Sequence, residues 1–170
     1  NSILTRYPEI NIHEQAVALY DQGRARESIV LDSQALAINP AFYDPYSSMC
    51  AAYVALNQLD KALEVGEIVF GLNPRNPGIA FNLGSINAHL SRIDESQKYL
   101  EIALSLDSAY EPALYGMASL SVARGEHDEL QRWLVRLPVN GKVDSSKFAD
   151  LVLSACVRNM FPYAGEMLRF

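Results

Sequence analysis

Cysteine is scarce in this chain. Two cysteines in 170 residues, Cys50 and Cys156, are too few for a disulfide scaffold, and neither stands in a C-x-x-C spacing suited to zinc or redox chemistry. Positive charge is scarce as well: 14 Lys and Arg against 20 Asp and Glu leave a formal net charge of -6, with no basic run or stripe. Nucleic-acid binding by phosphate neutralisation is therefore disfavoured. Long apolar runs are missing too. The longest stretch without a formal charge, Asn76–Ser91, carries three Asn, two Ser, a Pro and a His, too polar for a helix in lipid. The chain opens on Asn1 and Ser2 without a Met, a basic segment or an apolar segment, and so reads as a processed or excised piece of something longer. No G-x-S-x-G, H-E-x-x-H, P-loop or G-x-G-x-x-G occurs.

What the chain does have is ordinary globular composition, 49% hydrophobic and 20% charged, and a length that sets a prior of one domain with a sizeable core. It also repeats itself. The segments Ala35-Leu36-Ala37-Ile38-Asn39-Pro40, Val69-Phe70-Gly71-Leu72-Asn73-Pro74 and Ala103-Leu104-Ser105-Leu106-Asp107-Ser108 follow one another at intervals of 34 residues. The openings Tyr46…Met49-Cys50…Tyr53, Ala80…Leu83-Gly84…Asn87 and Leu114…Met117-Ala118…Ser121 keep the same period. Each unit holds two apolar stripes of helical spacing with a turn between them, and neither stripe can be buried without its neighbours. Ala16, Cys50, Gly84 and Ala118 are small residues at one register of the first helix, where they let a second helix approach closely. Pro40 and Pro74 stop the second helices, and Pro45, Pro77 and Pro112 suit the first turn of the next.

These residues resemble the tetratricopeptide repeat. Repeats two and three match closely. Repeat one, from about Glu9 to Phe42, keeps Ala16, Gly23, Ala35 and Pro40 but has Asp32 where the family usually has an aromatic. Repeat four, from about Glu111, keeps Tyr115, Ala118, Gly125 and Leu134 but loses its ending at Leu137-Pro138-Val139-Asn140-Gly141, after which Phe148, Leu151, Val152, Ala155, Ala164 and Leu168 restore the offsets. The resemblance implies an all-α, right-handed superhelical solenoid of about ten helices with a concave face made by the first helix of each pair. The expected organisation is a tail or helix end over 1–8, then one array over 9–170 with units at about 9–42, 43–76, 77–110, 111–144 and a truncated 145–170.

The same resemblance implies a peptide-binding groove lined by His13, Val17 and Tyr20, then Ser47 and Ala51, then Phe81, Ser85 and His89, then Tyr115 and Ser119, then Leu153 and Cys156. Ile10, Val54, Ala88, Val122 and Ala149 continue the same stripes. Relatives that bind acidic chaperone tails use a clamp of Lys, Asn and Arg on these helices. Here the corresponding places hold His13 and Val17, Ser47 and Ala51, Phe81 and Ser85, so the clamp is absent and the expected ligand is an amphipathic helix or an extended apolar peptide.

His13, His89 and His127 lie in different repeats and lack ligand-type partners at i,i+3 or i,i+4. Neither a metal nor a cofactor is expected, and the chain reads as a non-catalytic interaction module. Cys50 is expected to be an inert core thiol and Cys156 a groove-side one; a bond between them would cross three repeats, beyond the roughly 7 Å that a disulfide spans between Cα atoms. Asp60, Glu64, Glu67, Asp94, Glu95 and Glu101 fall on second helices as a solvated convex face. The expected partner is a protein or peptide, neither nucleic acid nor membrane, in a soluble setting with the cytoplasm favoured. The alternatives are a self-associating scaffold of a secretion, pilus or organelle apparatus, which would make the chain a homo-oligomer, and a regulatory array of a larger enzyme.

Overall fold

The computed structural model describes residues 7–137, and these form eight α-helices and no strand. In chain order they are α1 Pro8–Asp21, α2 Ala25–Ile38, α3 Tyr43–Ala55, α4 Leu59–Leu72, α5 Pro77–His89, α6 Ile93–Leu106, α7 Glu111–Arg124 and α8 His127–Arg136. They fall into two compact units. Among the described residues, one holds 7–74 together with His89–Ser91, and the other holds Arg75–Ala88 and 92–137. Leu153, Cys156 and the whole fifth repeat lie outside the described residues.

The turn inside each helix pair shows why the period is 34. Gly23, Asn57, Ser91 and Gly125 occupy the same place in the four turns, and all have a left-handed backbone, with φ of 76°, 55°, 59° and 72°. The N–H that follows each of them reaches back five residues: Arg24 to the Leu19 carbonyl, Gln58 to Tyr53, Arg92 to Asn87 and Glu126 to Ser121, each at 2.9 Å. This closure satisfies carbonyls that a helix end leaves open and reverses the chain at once. Between pairs, Asn39 and Asp107 each accept a bond from the N–H two residues on, at 3.2 and 3.0 Å, and the Asn76 carboxamide oxygen accepts from Gly78 N–H at 2.8 Å just before α5.

Close helix approach depends on small residues. Ala16, Ala35, Ala52 and Ala62 in the first unit, and Ala80, Ala103, Ala113 and Ala118 in the second, are 0% exposed. The expected contact at the small-residue register is visible in one helix pair of each unit. In the first unit the Cys50 thiol lies 3.4 Å from the Ala62 carbonyl. In the second, a Cβ placed on Gly84 would stand 3.2 Å from the Ser96 carbonyl and 3.0 Å from Leu100. Leu100, 2% exposed, is also wedged against Gly116 of α7, where a Cβ would come within 2.9 Å of it. Cys50 is only half-buried, short of the core thiol expected, and desolvation pushes its pKa up, which disfavours the thiolate.

Two polar residues are buried at the register where repeat two has Tyr53. Asn87 and Ser121 are 2% and 3% exposed. Each satisfies itself on its own helix, Asn87 Nδ2 donating to the Leu83 carbonyl at 2.9 Å and Ser121 Oγ to the Met117 carbonyl at 3.0 Å.

Candidate peptide-binding surface

The first helices α1 and α3 pack together in the first unit, and each presents a stripe at i, i+4, i+7: His13, Val17, Tyr20 on α1 and Ser47, Ala51, Val54 on α3. The members of the stripes differ in exposure. Val17 and Val54 are 39% and 44% exposed, and Ala51 is exposed as well, whereas Tyr20 and Ser47 are half-buried. An apolar surface on two neighbouring helices therefore faces water, without a charged side chain among these members.

His13 does not belong to that surface. Its ring is turned between the helices of the first pair, where Nδ1 lies 2.8 Å from Asp32 Oδ1, and only 14% of its side chain is exposed. The Phe42 ring meets it edge-on at a centroid distance of 5.4 Å. The expectation of a groove imidazole is thus corrected: a fully buried carboxylate at 0% exposure needs a partner more than a ligand does. The registers explain the pairing. His13, Ser47, Phe81 and Tyr115 share one place in the first helices, and Asp32, Gly66, Leu100 and Leu134 one place in the second. Repeat one has a polar pair at the two registers where repeat three has Phe81 and Leu100. Burial raises the Asp32 pKa, an effect that the hydrogen bond and charge of His13, and more weakly Ser48, oppose. The other carboxylate oxygen, Oδ2, is buried without a hydrogen-bond partner.

In the second unit the stripe is more polar. Ser119 is exposed and Ser85 half-buried. Phe81 is half-buried and meets the Tyr110 ring edge-on at 6.0 Å. Tyr115 departs from expectation: at 7% exposure its ring is part of the interior and is not offered beside Phe81 as a second aromatic anchor. It shares its register with the inward-turned His13 and the half-buried Ser47 and Phe81, while the place four residues on is exposed at Val17, Ala51 and Ser119 and half-buried at Ser85. His89 is exposed at the end of α5.

Reading the sequence by offsets alone missed the surface shared by α6, α7 and α8. Arg124 at the end of α7 bridges to Asp94 of α6 at 2.7 Å and also bonds Gln97. Trp133 of α8, Glu101 of α6 and Met117 of α7 line one cavity. No group of three or more metal-type side chains occurs among the described residues, and none of their helices is long and apolar enough to cross a membrane.

Antiparallel helix pairs of one period, closed by the same left-handed turn and stacked through small residues, define a helical repeat protein. The repeat and the fold are similar to those of tetratricopeptide-repeat proteins. It is 30% identical over 126 residues, 74% of its length, to the human protein named tetratricopeptide repeat protein 28, of which it spans only 5%. Among solved structures, a tetratricopeptide repeat protein from Parabacteroides merdae superposes with a TM-score of 0.82 at 16% identity, over 98% of this chain and 67% of that one. YrrB, described as a tetratricopeptide protein with an unusual peptide-binding site, superposes with a TM-score of 0.75 at 17% identity, over 98% and 87%. No protein-family model matches the chain. The fold is accordingly that of an all-α tetratricopeptide-type solenoid.

Proposed function

We propose that the chain is a non-catalytic protein-interaction module that binds an amphipathic helix or an extended apolar peptide of a partner on the first helices α1 and α3. The observation that carries this reading is the exposure of Val17 and Val54, 39% and 44%, on adjoining helices that also expose Ala51. Apolar side chains on such a face gain by being covered, at about 25 cal/mol per Å², and the absence of lysine and arginine from the stripe removes the chemistry that would recognise an acidic tail. The likeness to a peptide-binding repeat protein supports the same direction. In the second unit, Ser85, Ser119 and the half-buried Phe81 would add hydrogen bonds and one aromatic contact.

The test is a titration of fluorescent peptides, one series forming amphipathic helices and one extended and apolar, against the parent and a Val17→Asp/Val54→Asp variant. Both side chains are solvent-facing, so the variant keeps its helical circular dichroism. Binding that weakens at least tenfold in the variant supports the reading; peptides that bind both forms alike sink it.

A second reading, self-association into an assembly scaffold, draws on the second helices of the first unit. Val30 and Ile38 of α2 are 56% and 50% exposed, and Ile68 and Leu72 of α4 are 42% and 51% exposed, an apolar surface of the kind that copies of a chain can cover. Sedimentation velocity across a hundredfold range of concentration decides it, since a monomer at every concentration removes this alternative.

A further inference from the structure

The described part of the second unit contains a cavity that the peptide-binding reading does not use. Its volume is about 220 Å³, and it opens between α6, α7 and α8. Pockets for drug-sized ligands run from about 300 to 1,000 Å³, so this one suits a single long side chain better than a cofactor. Its apolar part comes from Met117 and Leu120 of α7, 5% and 6% exposed, together with the Trp133 ring. Its polar part is one-sided: three carboxylates, Glu101, Glu126 and Glu129, stand around it against one cation, Arg124.

Arg124 is already engaged. Its guanidinium is held by Asp94 at 2.7 Å and by Gln97, with Glu126 at 4.0 Å. Glu129 has an exposed partner in Arg132, one turn away on its own helix. Glu101 is different: Oε1 accepts a bond from Gln97 Nε2 at 2.7 Å, but no cation pairs with it among the described residues. The tryptophan ring also shows its preference within the molecule. Arg136 lies over it at 5.0 Å from the ring centroid while donating to the Ser108 carbonyl at 2.9 Å, and Arg136 is not part of the cavity wall.

We propose that this cavity is a socket for one basic side chain, lysine or arginine, presented by a partner protein. The aliphatic stem lies along Met117 and Leu120, the cationic head reaches Glu101 and Glu129, and the indole adds a cation–π contact. The acidic lining and the net charge of -6 select a cation over an anion. This site is separate from the α1–α3 surface, and neither depends on the other.

Trp133 is the one tryptophan in the chain, so its fluorescence reports on the cavity directly. The probes are the blocked pentapeptides Ala-Ala-Arg-Ala-Ala and Ala-Ala-Lys-Ala-Ala, with citrulline and norleucine peptides as uncharged controls. The full chain titrated with the arginine or lysine peptide gives a saturable change in Trp133 emission with a Kd of about 10 mM or tighter, as a single isolated side chain warrants. The controls bind at least fivefold more weakly. Glu101→Gln, an exposed position, weakens the arginine peptide at least fivefold without changing the melting temperature, whereas Val17→Asp/Val54→Asp leaves it unchanged. Equal binding of the citrulline and arginine peptides, an unchanged Kd in Glu101→Gln, or no saturation overturns the proposal; so does full affinity in Glu101→Gln alongside loss in Val17→Asp/Val54→Asp, which returns the cation to the first helices.

Discussion

Asp32 is the residue at which physical chemistry and the repeat pattern pull hardest against each other. Its carboxyl is fully buried and its pKa is raised, burial outweighing the support of His13 and Ser48. Between the ordinary aspartate range and the raised value, the folded chain holds this proton while the unfolded chain has released it. Stability from this group is therefore full below that window and falls as pH rises through it. Asp32→Asn keeps an acceptor for His13 and removes the ionisation. Urea unfolding at a series of pH values should show the decline in the parent and a flatter profile in Asp32→Asn, with the variant gaining on the parent above the window; parallel profiles would mean that Asp32 does not titrate differently on folding. Tyr115 and Phe81 make a second comparison at this scale. Tyr115, 7% exposed, should cost about 3–5 kcal/mol when cut to Ala, and half-buried Phe81 about 1–3 kcal/mol. Equal losses in chemical denaturation would contradict the different burial of the two rings.

Among the elements, the left-handed turns carry the clearest strain. Gly23 and Gly125 take a positive φ at no steric cost, but Ser91 takes 59° with a Cβ, for which a residue of its kind is poorly suited. Ser91→Gly should raise stability by about 0.5–1 kcal/mol, the relief of strain exceeding the added freedom of the unfolded chain, and a lower melting temperature would show that the turn is held by something other than its backbone conformation. The same turns show what was legible in the sequence. The period of 34, the proline positions, Gly23, Gly125 and the small residues Ala16, Gly84 and Ala118 are local signals, each tied to one backbone or packing requirement, and the helix pairs follow from them. The surface was less legible because exposure depends on the neighbouring helix. An offset names a register, but His13 and Tyr115 turn inward at theirs while Val17 and Ala51 face out four residues later. Asp32 was visible only as a departure from the family pattern; its histidine lies 19 residues away, and no short-range motif joins them. The Leu100 wedge against Gly84 and Gly116, and the Trp133 cavity, involve residues from separate helices and so leave no compact signature in the chain.

At the scale of the whole molecule, the two surfaces differ in the force they can exert on a partner, and salt separates them. The chain is acidic, with 20 carboxylate side chains against 14 basic ones, so every basic partner feels a long-range attraction in addition to its contacts. Raising the ionic strength from about 0.1 M to 1 M shortens the screening length from about 10 Å to 3 Å. Apolar burial on Val17, Ala51 and Val54 does not depend on that length, whereas attraction of a cation to Glu101 and Glu129 does. A labelled apolar peptide bound at α1 and α3 should therefore hold its affinity within about threefold across that range, a change of under 1 kcal/mol. An arginine peptide read through Trp133 should weaken by at least tenfold over the same range, or about 1.4 kcal/mol. Measuring both titrations in the same buffers makes the comparison internal. If the apolar peptide weakens as steeply as the arginine peptide, its binding is electrostatic and the α1–α3 stripe is not what holds it.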